Sequence, residues 1–392
     1  MDEGRGGNLR GRAIAISRPL RRLLVVGALS TTAAGVPVDL GAQSACAPLD
    51  AGMYLDVAYL HSDNEPGNNE WRTKGTSSYI GGVTANNVTA FFQKEACADS
   101  RWGVQAGLQG GRDINALVPP DSISSAETLK HLYYTNVSYL APLGNGLLLT
   151  GGLIPGNVGY ESFWAIDNPT YTRVYSVDWV PYFQWGVNAT YPLSGRVETS
   201  LLVVSGWDYL AAPNGLPSFG FQVTWETARE RHLRLTLYYG PEQEQTALDL
   251  WRLVGEFGGV HRFGHFAVAA KLGYGSEKQA DVAGNPRYHW VWGSAWFRWQ
   301  ALDWLRLALR PEFFSDPDGL AAGTRQEIGA IATAVNARIP WRHNDIHLRV
   351  EYRFDRSTGP EGGFYQGPDN VLVPNQNLLI AALNWRFRAL GN

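Results

Sequence analysis

Arg349, Glu351 and Arg353 stand two residues apart in the segment HLRVEYRF at 347–354, and Arg310 and Glu312 repeat that spacing. In an extended strand, residues two apart share a face, so this spacing lays ionised side chains along one side of an element. The chemistry such rows support is electrostatic rather than covalent: charges facing a hydrated space set which ions cross it. By the same alternation Arg234, Arg252, Glu256, Lys271, Arg306, Arg310, Glu312, Arg349, Glu351, Arg353 and Arg386 fall on polar faces and are the expected pore-lining set. That set holds eight bases against three acids, which predicts a mild anion preference. The alternative is that these charges neutralise one another along a wall and select nothing. Covalent chemistry finds no foothold. The sequence has no glycine-rich phosphate loop, nucleophile elbow or His-Glu-x-x-His segment. His261/His265 and His343/His347 are four apart, but they flank turns between strands rather than sharing a helix face, so no metal site is expected. No catalytic residue and no cofactor is expected either.

The elements that must position these charges repeat along the chain. Runs of about ten residues alternate apolar with polar and end in Gly/Pro/Asn/Asp-rich breaks. In 101–109 Trp102, Val104, Ala106 and Leu108 oppose Gln105, Gly107 and Gln109; in 182–191 Phe183, Trp185, Val187, Ala189 and Tyr191 oppose Gln184, Gly186, Asn188 and Thr190. The runs 219–226, 232–239 and 347–354 read the same way. Short breaks at 96–100, 141–145, 193–196, 228–231, 262–264, 301–303 and 341–345 alternate with long ones at 62–76, 112–129, 156–180, 206–218, 240–247, 275–287, 315–325 and 355–375. Seven short turns and eight long loops give sixteen strands, counted to within one hairpin, with both ends of the chain on the short-turn side. Short periplasmic turns and long extracellular loops describe an outer-membrane barrel. The expected fold is therefore all-β: a transmembrane antiparallel up-and-down β-barrel.

The charges decide between membrane and water. The interior of a narrow soluble barrel cannot host many ions, yet Arg, Glu, Lys and Gln recur on one face while Trp, Tyr, Phe, Leu and Val fill the other. A sixteen-stranded cylinder encloses water, so its polar face can point inward and its apolar face can meet lipid. Closure also leaves no unpaired backbone in hydrocarbon. Trp102, Tyr191, Trp225, Trp299 and Trp304 lie near run ends, where interfacial girdles form. A secreted soluble β-protein is the alternative. With 44 Gly, 15 Trp and 18 Tyr the composition favours strands and turns. A formal charge of −3 argues against a nucleic-acid partner, and 45% hydrophobic residues argue against disorder.

Residues 1–44 fall outside the pattern. A basic run at Arg18, Arg21 and Arg22, an apolar stretch from Leu23 to Ala34 and small residues at Ala42 and Ser44 describe a secretory signal peptide. The barrel domain is then 45–392, exported to an oxidising compartment. Cys46 precedes the first strand and Cys97 lies in the first short turn, on the same periplasmic side, so a disulfide is expected, two free thiols being the alternative. In the last strand Leu379, Ala381, Leu383, Trp385 and Phe387 share a face. This resembles the C-terminal aromatic signal read by the barrel assembly machinery, although Arg388 to Asn392 follow it.

Three segments, IPGNVGYE at 154–161, VVSGWD at 203–208 and RPEFFSDPDG at 310–319, resemble landmarks of the OmpL-like β-barrel porin family, over roughly 51–387. The resemblance implies a Gram-negative outer-membrane porin, a water-filled channel for passive diffusion of small hydrophilic solutes or ions, in contact with outer-membrane lipid and without enzymatic activity. In many porins the third long loop folds inward and narrows the channel. Here that loop carries Tyr160, Glu161, Trp164, Asp167 and Arg173, aromatics to guide a solute and charges to set a transverse field; a loop packed on its extracellular neighbours is the alternative. Trimers are common among sixteen-stranded porins, so a homotrimer is one assembly the resemblance allows. A structural, adhesive or export-related barrel is the competing function, followed by a barrel hydrolase, which needs a Ser/His/Asp cluster that the sequence does not show.

Overall fold

The structure, a computed structural model, describes residues 46–117, 124–207, 214–228, 231–341 and 344–390; the expected signal peptide lies outside them. Eight strands occupy the first half of the barrel: β1 (Asp50–Ser62), β2 (Val83–Lys94), β3 (Trp102–Gly110), β4 (Leu132–Ala141), β5 (Leu147–Pro155), β6 (Phe183–Ser194), β7 (Val197–Val204) and β8 (Ser218–Ala228). The second half holds β9 (Arg231–Gly240), β10 (Arg252–Phe263), β11 (Phe266–Lys278), β12 (Arg287–Leu302), β13 (Leu305–Asp316), β14 (Gln326–Trp341), β15 (Asn344–Thr358) and, after the small β16 (Phe364–Gln366) and β17 (Val371–Val373) hairpin, β18 (Asn375–Leu390). Each barrel strand pairs antiparallel with its sequence neighbours, and β18 closes the cylinder on β1 in a register that sets Leu55 opposite Trp385. Sixteen strands therefore form one closed barrel, as the alternation predicts.

The two-residue period sorts the side chains. On β15 Leu348, Val350 and Tyr352 are about half exposed on the outer wall, whereas Arg349, Glu351 and Arg353 are buried inside. Trp102, Trp225, Trp299 and Trp304 are exposed on the outer face. Phe183 departs from the expected outward row: as the first residue of β6 it is fully buried, its ring 5.5 Å from Phe163.

Turn chemistry holds the hairpins at one end. Gly264, at φ +57°, supplies the left-handed conformation between β10 and β11, and the β8–β9 and β14–β15 pairs run down to Ala228↔Arg231 and Trp341↔Asn344. Two expected loops begin too early. Gly275 reads as a breaker, yet β11 runs on to Lys278, because Gly273 and Gly275 leave room for the rings of Trp292 and Trp290 on β12. A Cβ at Gly273 would stand 2.0 Å from Trp292. Asp355 and Arg356 read as a polar break, yet they continue β15, with Asp355 fully buried inside.

Candidate functional site: the lumen and its third loop

The third long connection, 156–182, lies inside the barrel and is tied to the wall nearly all the way round. Its backbone begins the circuit. The Asn157 carbonyl accepts from Gln222 on β8 (3.1 Å) and Thr236 on β9 (3.2 Å), and the Gly159 N–H donates to Glu256 on β10 (3.0 Å). Glu161 accepts from Trp296 Nε1 on β12 (2.9 Å) and pairs with Arg310 on β13 (3.3 Å). Asp167 pairs with Arg386 on β18 (2.9 Å). The Tyr171 N–H donates to Glu351 on β15 (2.6 Å) and its hydroxyl to Asp56 on β1 (3.0 Å). The Tyr175 N–H donates to Glu312 (2.7 Å). Short 3₁₀ turns at Ala165–Asp167 and Tyr175–Trp179 let so irregular a segment stay compact, and the wall satisfies the backbone groups that water would otherwise serve.

Of the loop residues singled out by sequence, Glu161, Trp164 and Arg173 are buried and Tyr160 and Asp167 partly so. Tyr160 rests on Trp296, ring centroids 4.8 Å apart. Trp164 stacks on Tyr133 of β4 (4.9 Å, 8° between planes) and on Tyr54 of β1 (4.8 Å). Arg173 pairs with Asp113 from the second long connection (2.9 Å) and donates to the Phe163 carbonyl. Burial works against that cation, but Asp113, Tyr182, Asp56 and Tyr171 together outweigh it and hold the guanidinium above its usual range.

The wall residues fall into three groups. Arg310, Glu312, Arg349, Glu351, Arg353 and Arg386 converge on the loop. Arg310 also donates to Thr170 and Thr172; Arg349 donates to the Ala165 (2.5 Å) and Asn168 carbonyls. Arg353 pairs with Asp355 (2.6 Å) and Glu312 (2.8 Å), its guanidinium over the Tyr175 and Trp71 rings at 4.9 and 5.0 Å. A second group pairs within the wall. Lys271 meets Glu256 at 3.0 Å, and Arg252 meets Glu277 between Trp207 and Trp290. Arg234 and Arg306 form the third group, on the side nearer the short turns, where Arg306 Nε donates to the neutral Gln300 (2.8 Å).

Several partners escape a reading by sequence. Asp56 obeys the two-residue rule, alternating with Leu55 and Val57, whereas Asp355 sits where the sequence reads as a polar break. Lys74, Asp113 and Asp178 come from long loops that have no period. Lys74 and Asp178 form a fully buried ion pair between the first and third loops, and burial lowers the Lys74 pKa even against the Asp178 charge. Cys46 and Cys97 are joined in a disulfide, Cα atoms 5.2 Å apart, holding the segment before β1 to the β2–β3 turn. Among the described residues no cluster of three or more His, Cys, Asp or Glu could hold a metal ion.

Comparison with known proteins places this architecture. No curated protein matches the sequence. Among solved structures the chain is similar to the outer membrane channel DcaP of Acinetobacter baumannii, at 14% identity and TM-score 0.53 over 86% of this chain and 96% of that one. It is also similar to the trimer form of OmpT from Vibrio cholerae, at 10% identity and TM-score 0.51 over 86% and 98%. An anion-selective porin from Comamonas acidovorans aligns at 10% identity and TM-score 0.50 over 88% and 99%. At such identities the likeness shows the barrel fold. The family model described as "Putative beta-barrel porin-2, OmpL-like" matches residues 48–387, nearly the whole barrel domain. The chain therefore belongs to that OmpL-like porin family and is an outer-membrane β-barrel channel.

Proposed function

We propose that the channel is a non-enzymatic porin through which small hydrophilic solutes diffuse passively, with segment 156–182 as its constriction and a mild preference for anions. The observation that carries the reading is the division of the strands, seen most sharply on β15, where apolar side chains stand on the outer wall and ionised ones inside. Lipid accepts the first face, and only a hydrated interior accepts the second. The anion preference has narrower support. Arg234, Arg262, Arg298 and Arg306 take inward positions on β9, β10, β12 and β13, on the side of the loop nearer the short turns. Charge of one sign around a low-dielectric constriction concentrates counter-ions there.

Residues 1–44 are proposed to export the chain, and three copies to assemble together, as in the trimer form of OmpT. Planar-bilayer recording of the purified chain tests the diffusion pathway. A porin gives stepwise openings, whereas a structural or adhesive barrel gives none. The reversal potential in a salt gradient then tests selectivity: Arg306→Ala is expected to move it toward cation preference. An unchanged potential assigns these charges a role in the wall alone.

A further inference from the structure

The first long loop, residues 63–82, joins β1 to β2 and reaches to β14, three strands away round the wall. There Thr73 Oγ1 accepts from the inward Gln326 (2.8 Å), and the buried Trp71 ring lies 5.0 Å from the Arg353 guanidinium. One side of this loop rests on the third loop. Trp71 Nε1 donates to the Tyr175 hydroxyl (2.9 Å) and Thr76 Oγ1 to Asp178 (2.7 Å). Lys74 pairs with the same carboxylate, both ions fully buried. The Ser77 N–H donates to Asp113 (2.6 Å), the partner of Arg173. Its other side meets the last long loop, where the Gly67 N–H donates to the Gly367 carbonyl (2.8 Å) and Arg72 to the Gly363 carbonyl (2.8 Å). The first loop thus covers the arm of the third that carries Tyr175 and Asp178.

Two features make this cover separable from what it covers. The contact is sealed by ions: a buried pair pays for its desolvation, and both members regain water when the loops part. The backbone is also held under strain. Among the described residues seven other than glycine have a left-handed φ, and four of them lie here: Glu65 (46°), Asn69 (56°), Thr73 (63°) and Ser77 (51°). For the β-branched Thr73 that conformation is a true outlier. Such backbone persists only where its surroundings over-determine it, and it gathers at switch regions. The strained Thr73 adjoins Lys74. The third loop needs none of this to stay in place, since Glu161, Asp167 and Tyr171 bind the wall directly.

We infer that the first loop is a strap that closes the mouth over the third loop and lifts as a unit, with Lys74 as its catch. The inference rests on the reading of 156–182 as the constriction and adds the element that regulates it. The test reads labelling of one introduced cysteine by a charged methanethiosulfonate, on the full chain in detergent. The two native cysteines are bonded to each other, so T76C, buried in the strap, and T170C, buried in the third loop, each present a single thiol. Labelling follows the locally opened population, so adding K74Q should speed T76C roughly tenfold and leave T170C unchanged. A second arm clamps the strap. A Cβ at Gly75 would stand 3.1 Å from the Ala116 Cβ, so G75C/A116C can be oxidised to a bridge and recorded in planar bilayers, with wild type treated alike as control. Fewer or smaller openings that reductant restores support the strap. An unaltered T76C rate in K74Q, equal acceleration of T170C, or a formed bridge that leaves the openings as they were overturns it. Should heat-modifiable gel mobility show K74Q unfolded, the bridge decides. Labelling needs no conduction, so its outcome is separate from that of the porin reading, which falls on the absence of stepwise openings.

Discussion

Arg310 shows how a single side chain ties the third loop to the barrel wall. Fully buried, it contacts Glu161, Thr170, Thr172 and Glu312, joining β13 to both arms of the third loop. Arg310→Ala leaves two buried carboxylates short of a partner, a loss of about 3–5 kcal/mol for a broken buried pair. The expected result is faster proteolysis within 156–182 and noisier single-channel current while the barrel stays folded. Arg310→Lys should recover only part of the effect, since an ammonium lacks the planar fork. Arg310, Glu312, Arg349, Glu351 and Arg353 could be placed inside from sequence because a strand's alternation is local. Their partners on the loops could not: no period in 63–82 or 111–131 tells that Lys74 reaches Asp178 or that Asp113 reaches Arg173. Tertiary closure alone brings those segments together.

Among the elements, strands and loops respond to change in opposite ways. On the outer face of β15, Leu348→Arg puts a charge into lipid and should destabilise the barrel by about 2–4 kcal/mol if it lies near the bilayer midplane. Urea unfolding from lipid vesicles measures it. Within the lumen, deletion of residues 163–171 removes Trp164, Asp167 and Tyr171 with their wall contacts, and single-channel conductance should rise. An unaltered conductance would show that this segment does not set the constriction. All seven short turns and eight long loops were legible as breaks because turn residues are local signals. Their edges were not where a glycine or a charge served packing instead: Gly275 makes room for Trp290, and Asp355 binds Arg353 and Tyr175. The inward Trp290, Trp292 and Trp296 likewise run against the expectation that aromatics face lipid. Trp292 and Trp296 are kept inside by Glu256 and Glu161, which accept their indole N–H groups.

For the molecule as a whole, closure rests on the β1–β18 seam, and the Cys46–Cys97 bond fastens the chain just before it. With the cysteines 51 positions apart in sequence, the chain-entropy account gives about 4 kcal/mol from restricting the unfolded state. Cys46→Ser with Cys97→Ser should therefore lower the unfolding midpoint and leave conductance intact; a peptide map with and without reductant checks the linkage first. The two-faced strand is what makes sixteen strands, buried charge and an apolar exterior mutually consistent, and it requires a hydrated path past the loop. Planar-bilayer recording of the purified full-length chain measures that path most directly. The account predicts discrete, stepwise openings of small amplitude, with a reversal potential displaced toward anions. A protein that inserts folded into the bilayer and never conducts would contradict it.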